Sequence, residues 1–363
     1  MTGLIAHEWL EAVGGAERVV DAWATEFSDA PVVVPWDDRT GRWAPGREHE
    51  AWLARTPLRR HKALSMPFLL SWWRHLPADT VPEWMLCGSH LFAHHARVHG
   101  RDVPKYVYTY SPARYIWNPD VDERGDSAAV RALAAPLQRI DRRRAQEAVK
   151  IAAVSHYIAD RVERCWGRES TVIHPPVDVS SFPGSDDELT ADEVAVADAL
   201  PSDFVLGASR FVSYKRLDVV IDAGAAADLP VVLAGSGPDR DRLAALADEH
   251  PGRVTIIDRP SDALLRALYR RALVYVFAPV EDFGIMPVEA MAAGTPVVGN
   301  AVGGAAETVA EGVTGALLHG FDAHALREAV DAAARCAPDA CRARAVSFDG
   351  AAFGTRIREW MGV

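Results

Sequence analysis

The sequence predicts an α/β protein made of two doubly wound, parallel-sheet domains, and three observations lead there. At 363 residues the chain is about twice a typical single domain, so two separate cores are expected. Short apolar runs alternate with longer helical patterns from end to end, the signature of parallel α/β layers. Side-chain usage also changes part-way: 23 of the 39 Lys+Arg, 23 of the 50 Asp+Glu, 10 of the 11 Trp and 10 of the 13 His fall in residues 1–180. The formal charge of −11 therefore comes wholly from the rest.

In chain order, strands are expected at residues 4–7, 31–36, 84–90, 105–111, 150–155 and 170–174, with helices between them such as 16–27 and 127–149. The second set of strands is expected at 204–210, 231–235, 254–258, 273–278, 296–300 and 315–318. Between the sets, residues 175–203 have linker composition, with several Pro and the acidic run Asp186-Asp187-Glu188. The expected domains are 1–180 and 181–347, with a helix over 348–363 returning to the first. Residues 52–76 break the rhythm by mixing cations with Trp and Leu. The two readings are a pair of helices packed on the sheet and a peripheral membrane contact.

The acidic balance argues against a nucleic-acid partner, which needs a clustered basic surface. No apolar run reaches the roughly 20 residues of a membrane span, and the first ten residues lack a basic region and carry Glu8. Cys87, Cys165, Cys336 and Cys341 form no metal-binding spacing. A cytoplasmic protein with reduced thiols is the expectation, with peripheral membrane contact through 52–76 as the further reading.

The richest run is EDFGIMPVEAMAAGTPVVGN, residues 281–300. It follows an apolar strand, so Glu281 and Asp282 belong in a loop at a strand's carboxyl end, where open α/β sheets bind ligands. Pro287 suits a first helical position and Gly294 a C-cap, which would put Glu289 in the first turn. The amides of Phe283, Gly284 and Ile285 would then be free to hold an anion. Two carboxylates so spaced can each accept hydrogen bonds from the paired hydroxyls of a sugar or a ribose.

In GASRFVSYKRLD, residues 207–218, Arg210 ends a strand and Lys215 opens a helix at the same sheet edge, a planar fork and a point charge suited to a pyrophosphate. LAGSGPDRDRL, residues 233–243, has Gly235 and Gly237 in a strand-to-helix turn but no third glycine, so a dinucleotide fingerprint is weak, and no phosphate-loop motif occurs. HEWLEAVGGAERVV, residues 7–20, puts Gly14 and Gly15 at the first helix start, where backbone can approach a phosphate, and His7 at the preceding strand end. YVYTYSPARYIWNPD, residues 106–120, gathers Tyr110, Arg114, Tyr115 and Trp117, suited to a sugar face or an acceptor hydroxyl. Nothing outside the cluster of His90, His94 and His95 offers the carboxylate or Cys partners a metal site would want, so no metal site is expected.

Taken together these motifs resemble the retaining glycosyltransferases of family four, and in particular their GDP-mannose-dependent, mannosyltransferase-like branch. The resemblance runs nearly the full length, from the GGAER turn to Glu281 and Glu289. It implies the GT-B fold, two facing Rossmann-like domains with the active site in the cleft. Glu289 would bind the donor ribose, Glu281 with Phe283, Gly284 and Ile285 the transferred hexose, and Gly14, Gly15, Gly235 and Gly237 would let backbone approach the donor. Arg210 and Lys215 would neutralise the pyrophosphate as it leaves, so no metal or other cofactor is implied. The acceptor would occupy the first domain's side of the cleft, where the Trp residues and the 52–76 segment are, by His7, Arg114, Tyr115 and Trp117. One position departs from the family: Tyr110 stands where a His commonly touches the donor sugar, and a phenol near neutral pH is a hydrogen-bond donor, not a base.

The expected function is hexose transfer with retention, mannose from GDP-mannose favoured, to a small-molecule, saccharide or lipid-linked acceptor. A nucleotide-sugar epimerase on the same fold and a non-catalytic nucleotide-sugar-binding protein are the alternatives.

Overall fold

The computed structural model describes residues 2–12, 14–39, 41–76, 81–117, 128–182 and 186–363. The side chains of Ala63, Tyr115 and residues 128–133 also lie outside the described set. The chain forms two units, Met1–Pro176 with Gly350–Val363, and Val177–Asp349.

The first unit begins with β1 (Gly3–His7), α1 (Gly15–Glu26), β2 (Val32–Val34), β3 (Glu48–Glu50), α2 (Lys62–Trp72), β4 (Trp84–Ser89), β5 (Lys105–Thr109), α3 (Arg114–Trp117), α4 (Ala128–Ala145), β6 (Lys150–Ala153), α5 (His156–Trp166) and β7 (Thr171–Val172). The second runs through α6 (Ala191–Asp198), β8 (Val205–Ala208), α7 (Leu217–Ala227), β9 (Val231–Gly235), α8 (Arg240–Asp248), β10 (Val254–Asp258), α9 (Asp262–Arg271), β11 (Val274–Phe277), α10 (Ile285–Ala293), β12 (Val297–Asn300), α11 (Ala305–Thr308), β13 (Gly315–Leu318), α12 (Ala323–Ala333) and α13 (Pro338–Val346). The closing helix α14 (Gly350–Met361) belongs to the first unit.

Both sheets are parallel, in the orders β3-β2-β1-β4-β5-β6-β7 and β10-β9-β8-β11-β12-β13. Each is a doubly wound, Rossmann-like order that reverses direction at its centre, between β1 and β4 and between β8 and β11. Those reversals leave a crevice beyond the strands' carboxyl ends. The central strands are apolar because helices cover both their faces. In the second unit Val205, Leu233, Val276 and Val298 on the sheet pack with Val220 on α7 and Leu326 and Val330 on α12. Each such buried side chain contributes roughly 1.5–3 kcal/mol.

α14 is held within the first unit by particular contacts. Lys150 Nζ donates to the Trp360 carbonyl at 2.7 Å, Arg358 pairs with Glu26 of α1, and Phe353 meets Tyr108 edge-on.

Two elements differ from expectation. β3 was not foreseen, because a short polar edge strand, Glu-His-Glu, carries no apolar run. Residues 52–76 fold as two 3-10 turns, Trp52–Arg55 and Pro57–Arg60, and then α2, which contains Pro67. Leu53, Leu69 and Trp73 point into the core while Trp52, Leu64 and Phe68 are exposed. Among the described residues no helix is long and apolar enough to cross a membrane.

Candidate active site

In the second unit the predicted donor residues gather at the reversal between β8 and β11. Glu281 follows β11, and its Oε1 accepts from Lys215 Nζ at 2.7 Å. The pair is largely shielded, with side chains 12% and 21% exposed for Lys215 and Glu281. Lys215 does not open a helix as expected. It ends a 3-10 turn, Ser213–Lys215, two residues before α7, because Arg216 takes a left-handed conformation with φ 53°. Arg210 is exposed and donates to the Tyr214 hydroxyl at 3.1 Å, and the Lys215 ammonium sits 5.4 Å from the Tyr214 ring centroid. Tyr214, which sequence reasoning passed over, thus links the two cations.

Glu289 is buried on α10. Both Glu281 and Glu289 bear on Tyr275 of β11, whose phenol is raised well above its ordinary pKa first by burial and then by these carboxylates. α10 starts at Ile285, not at Pro287, so Glu289 falls in the second turn rather than the first. Gly284 makes this possible: its φ of 91° turns the chain into the helix two residues early, and Pro287 is tolerated because first-turn N–H groups have no helical partner. Gly294 caps the other end at φ 94°. Phe283 is buried, edge-on to Phe348.

The loop after β12 is a component the motif reading missed. The Gly304 N–H donates to the Glu281 carbonyl at 2.8 Å, and a Cβ at Gly304 would lie 2.3 Å from the Asp282 carbonyl oxygen and 2.4 Å from Phe283 Cα. Only glycine permits that approach, and the Gly303-Gly304 pair, separated by two residues from the end of a strand, was the available signal. Gly235 and Gly237 are explained in the same way. Their φ values are 149° and 154°, and an added Cβ would strike the carbonyls of Ser209 at 1.8 Å and Phe211 at 2.3 Å. They seat the β9–α8 turn against the segment carrying Arg210.

In the first unit Gly14 is the N-cap of α1 and Gly15 its first residue. His7 ends β1 and is fully buried. Its Nδ1 lies 3.0 Å from the Glu8 carbonyl, an acceptor only, so Nδ1 carries the proton and Nε2 is the acceptor. Tyr110 Oη lies 3.2 Å from that Nε2 and 3.3 Å from the Ala16 carbonyl, and its single proton serves one or the other. Burial pushes His7 down to about 3, so the ring is neutral. Desolvation pushes the Tyr110 phenol well above 10, although the residue keeps partial exposure. His90 completes a cluster of rings, its centroid 6.1 Å from His7 and 6.2 Å from Tyr110.

Trp117 is placed differently from the other acceptor-side candidates. Its N–H donates to Asp141 Oδ2 at 2.7 Å and Arg142 covers its ring at 5.3 Å, so the indole is engaged in packing. Arg114 opens α3, half-buried. The Tyr115 side chain lies outside the described residues.

The sequence offered no carboxylate to His94 and His95, and here the fold corrects it. Asp141, from α4, places Oδ1 3.0 Å from His94 Nε2 and 3.0 Å from His95 Nε2. Its Oδ2 accepts from the indoles of Trp117 and Trp166, each at 2.7 Å, and Ser89 Oγ meets His94 Nδ1 at 2.9 Å. Among the described residues His94, His95 and Asp141 are a group whose donor atoms, all within 4.8 Å, could hold a metal ion. The same atoms already lie against one another in a buried polar cluster, in which His95 Nε2 is hydrogen-bonded to Asp141 while His94 Nε2 approaches it without hydrogen-bond geometry. Burial opposes it, but the two imidazoles hold the Asp141 carboxyl well below the usual range.

Glu8 was also undervalued. It is fully buried, and its Oε1 accepts from the N–H groups of Leu91, Phe92 and Ala93 at 3.0, 2.6 and 2.6 Å, fixing the turn after His90. Burial raises it to about 7 against those hydrogen bonds. A folded-state pKa above the ordinary carboxyl value of 4.5 means the native state binds the extra proton, so this group's contribution falls as pH rises from about 4.5 to 7. Glu8→Gln keeps an acceptor and removes the ionisation. We expect the stability difference between wild type and variant to move by about 3 kcal/mol over that window, read by urea unfolding at several pH values. A pH-independent difference would refute the assignment.

Two units of this strand order are the fold of the GT-B glycosyltransferases. The chain aligns over 99% of its length, and 99% of the other, with HepE of Anabaena solved with UDP and glucose, at TM-score 0.70 and 18% identity. It aligns over 99%, and 98% of the other, with a sucrose-phosphate synthase from Thermosynechococcus elongatus, at TM-score 0.73 and 21% identity. Residues 196–345, which hold Arg210, Lys215, Glu281 and Glu289, match the family model for glycosyl transferases group 1. The D-inositol 3-phosphate glycosyltransferase of Mycolicibacterium smegmatis is 40% identical over 163 residues, 42% of this chain and 36% of that protein. Its Mycobacterium tuberculosis counterpart is 38% identical over 173 residues, 44% and 35%. The chain thus spans well under half the length of the curated relatives it matches.

Proposed function

We propose that this protein is a retaining, metal-independent glycosyltransferase that moves a hexose from a nucleotide-diphosphate sugar to a hydroxyl acceptor. The observation that carries the reading is the Lys215–Glu281 contact at the β8/β11 reversal, with Glu289 on the following helix, inside the region that matches group 1. HepE, the neighbour with UDP and glucose, supports a nucleotide-sugar donor. The motif set favours GDP-mannose as that donor.

In this reading Glu289 accepts hydrogen bonds from the donor ribose, and Glu281 orients the hexose through its hydroxyls. As the bond between the anomeric carbon and the diphosphate oxygen breaks, negative charge grows on the leaving group, and Arg210 and Lys215 stabilise it without a metal. The acceptor oxygen forms the new bond on the same face, and its proton passes to the leaving phosphate. No protein base is required, in keeping with a neutral His7 whose accepting nitrogen lies beside Tyr110.

Tyr110→Phe removes that contact. It is expected to lower kcat by on the order of tenfold while leaving nucleotide affinity unchanged. A rise in the nucleotide Kd with unchanged kcat would refute the role.

The test of the function is a thermal-shift panel of GDP, UDP and TDP, in which the preferred nucleotide stabilises by mass action and names the donor class. It is followed by release of free nucleotide diphosphate on addition of acceptor. Epimerised donor without release would indicate an epimerase, and tight nucleotide binding without turnover a binding protein.

A further inference from the structure

At the β2–β3 edge of its sheet the first unit holds a cavity of about 600 Å³ lined by Asp37, Arg39, Glu48, Glu50, Trp52 and Arg55. None of these residues has a role in the donor chemistry above. The volume lies within the roughly 300–1,000 Å³ of small-molecule sites, and none of the lining residues lies on β1 or β4, where the sheet order reverses.

The polar groups divide into those already engaged and those left open. Asp37 is buried and saturated: Arg42 Nε donates to its Oδ2 at 2.7 Å, and the Arg39 N–H to its Oδ1 at 2.7 Å. Glu50 Oε1 accepts the Asp37 N–H at 2.8 Å, which aligns the Glu50 carboxylate on the wall. Glu48 Oε1 is buried with no hydrogen-bond partner among the described residues. Burial, together with the charges of Asp37 and Glu50, raises Glu48 to about 7. Arg39 and Arg55 are exposed. Trp52 is 54% exposed, yet Phe68 holds its ring edge-to-face at 5.8 Å, so the indole is positioned as well as accessible.

Few ligand classes match that set. A phosphate-rich ligand would face Glu48 and Glu50, a bare cation would face two guanidiniums, and an aliphatic chain would leave the carboxyl groups and guanidiniums unmatched. A sugar ring answers each feature. Its hydroxyls donate to carboxylates and accept from guanidiniums, and its C–H face lies against an indole.

We propose that this cavity binds a sugar ring of the acceptor, so that the acceptor is a saccharide. The word acceptor rests on the glycosyl-transfer reading; the binding of a sugar does not. The proposal also gives a use to the Trp-bearing start of the 52–76 segment.

Saturation-transfer NMR on the intact protein tests it, with methyl α-mannoside, methyl β-glucoside, mannobiose and cellobiose as probes at millimolar concentration. At least one probe is expected to bind, and Trp52→Ala and Glu48→Gln are each expected to weaken it by roughly tenfold or more, with wild-type thermal unfolding as the folding control. Lys215→Ala should leave it unchanged. Binding of no probe, or binding that survives both cavity substitutions, overturns the proposal. The nucleotide thermal shift on the same samples tests the transferase reading separately: loss of that signal is a failure of the enzyme assignment, and loss of the sugar signal is a failure of the cavity.

Discussion

Replacing Lys215 with Ala is expected to cut kcat by about 10²- to 10³-fold, the usual result of removing one preorganised group that stabilises charge in a transition state, and to weaken nucleotide-diphosphate binding. The ammonium lies 2.7 Å from Glu281 Oε1 and is largely shielded from water, so bulk solvent does not replace it as a counter-charge. Lys215→Arg keeps the charge but not the point geometry and should retain part of the activity. Glu289→Ala is expected to reduce the nucleotide-induced thermal shift. Because Glu289 lies on a helix rather than opposite a cation of the leaving group, its loss should raise the donor KM more than it lowers kcat. Steady-state kinetics and nucleotide titrations of the three variants check this. Unchanged nucleotide affinity in both alanine variants would refute the site.

Asp141→Ala should be the most destabilising single change in the first unit, by about 3–5 kcal/mol. It strips the acceptor from two indoles at 2.7 Å and removes the carboxylate 3.0 Å from two imidazoles, and all of these groups but the half-buried Trp117 sit where water cannot replace it. At about 2–4 °C per kcal/mol for a unit of this size, the melting temperature should fall by on the order of 10 °C. Tryptophan fluorescence is the selective reporter, since all 11 Trp lie in the first unit and none in Val177–Asp349. Asp141→Asn keeps one acceptor oxygen and should lose less. A Trp-detected transition unmoved by Asp141→Ala would show that the network contributes nothing to stability.

Much of the donor side could be read in one dimension because its residues are neighbours in one dimension. Glu281, Gly284 and Glu289 sit in a single strand-loop-helix run, and Arg210 and Lys215 in another. In a parallel sheet every strand-to-helix loop emerges at the same edge, so two such runs on adjacent strands must meet. Details within a run were less secure. The helix begins at Ile285 because a left-handed Gly284 outweighs the cue of Pro287, and Lys215 stops short of α7 because Arg216 is left-handed.

The sequence by itself determined the class of fold, the two parallel sheets and the loops in which the proposed donor residues lie, since apolar period and turn residues are local properties. Only the tertiary structure decided that Asp141 meets His94 and His95 across about 46 residues, that Glu8 caps the turn at Leu91–Ala93, and that Trp117 packs on Asp141. It also decided that a polar edge strand closes a cavity under Trp52. Such pairings depend on which buried group lacks a partner once the sheets are stacked. That is a condition on three-dimensional proximity and desolvation, which spacing along a chain does not encode.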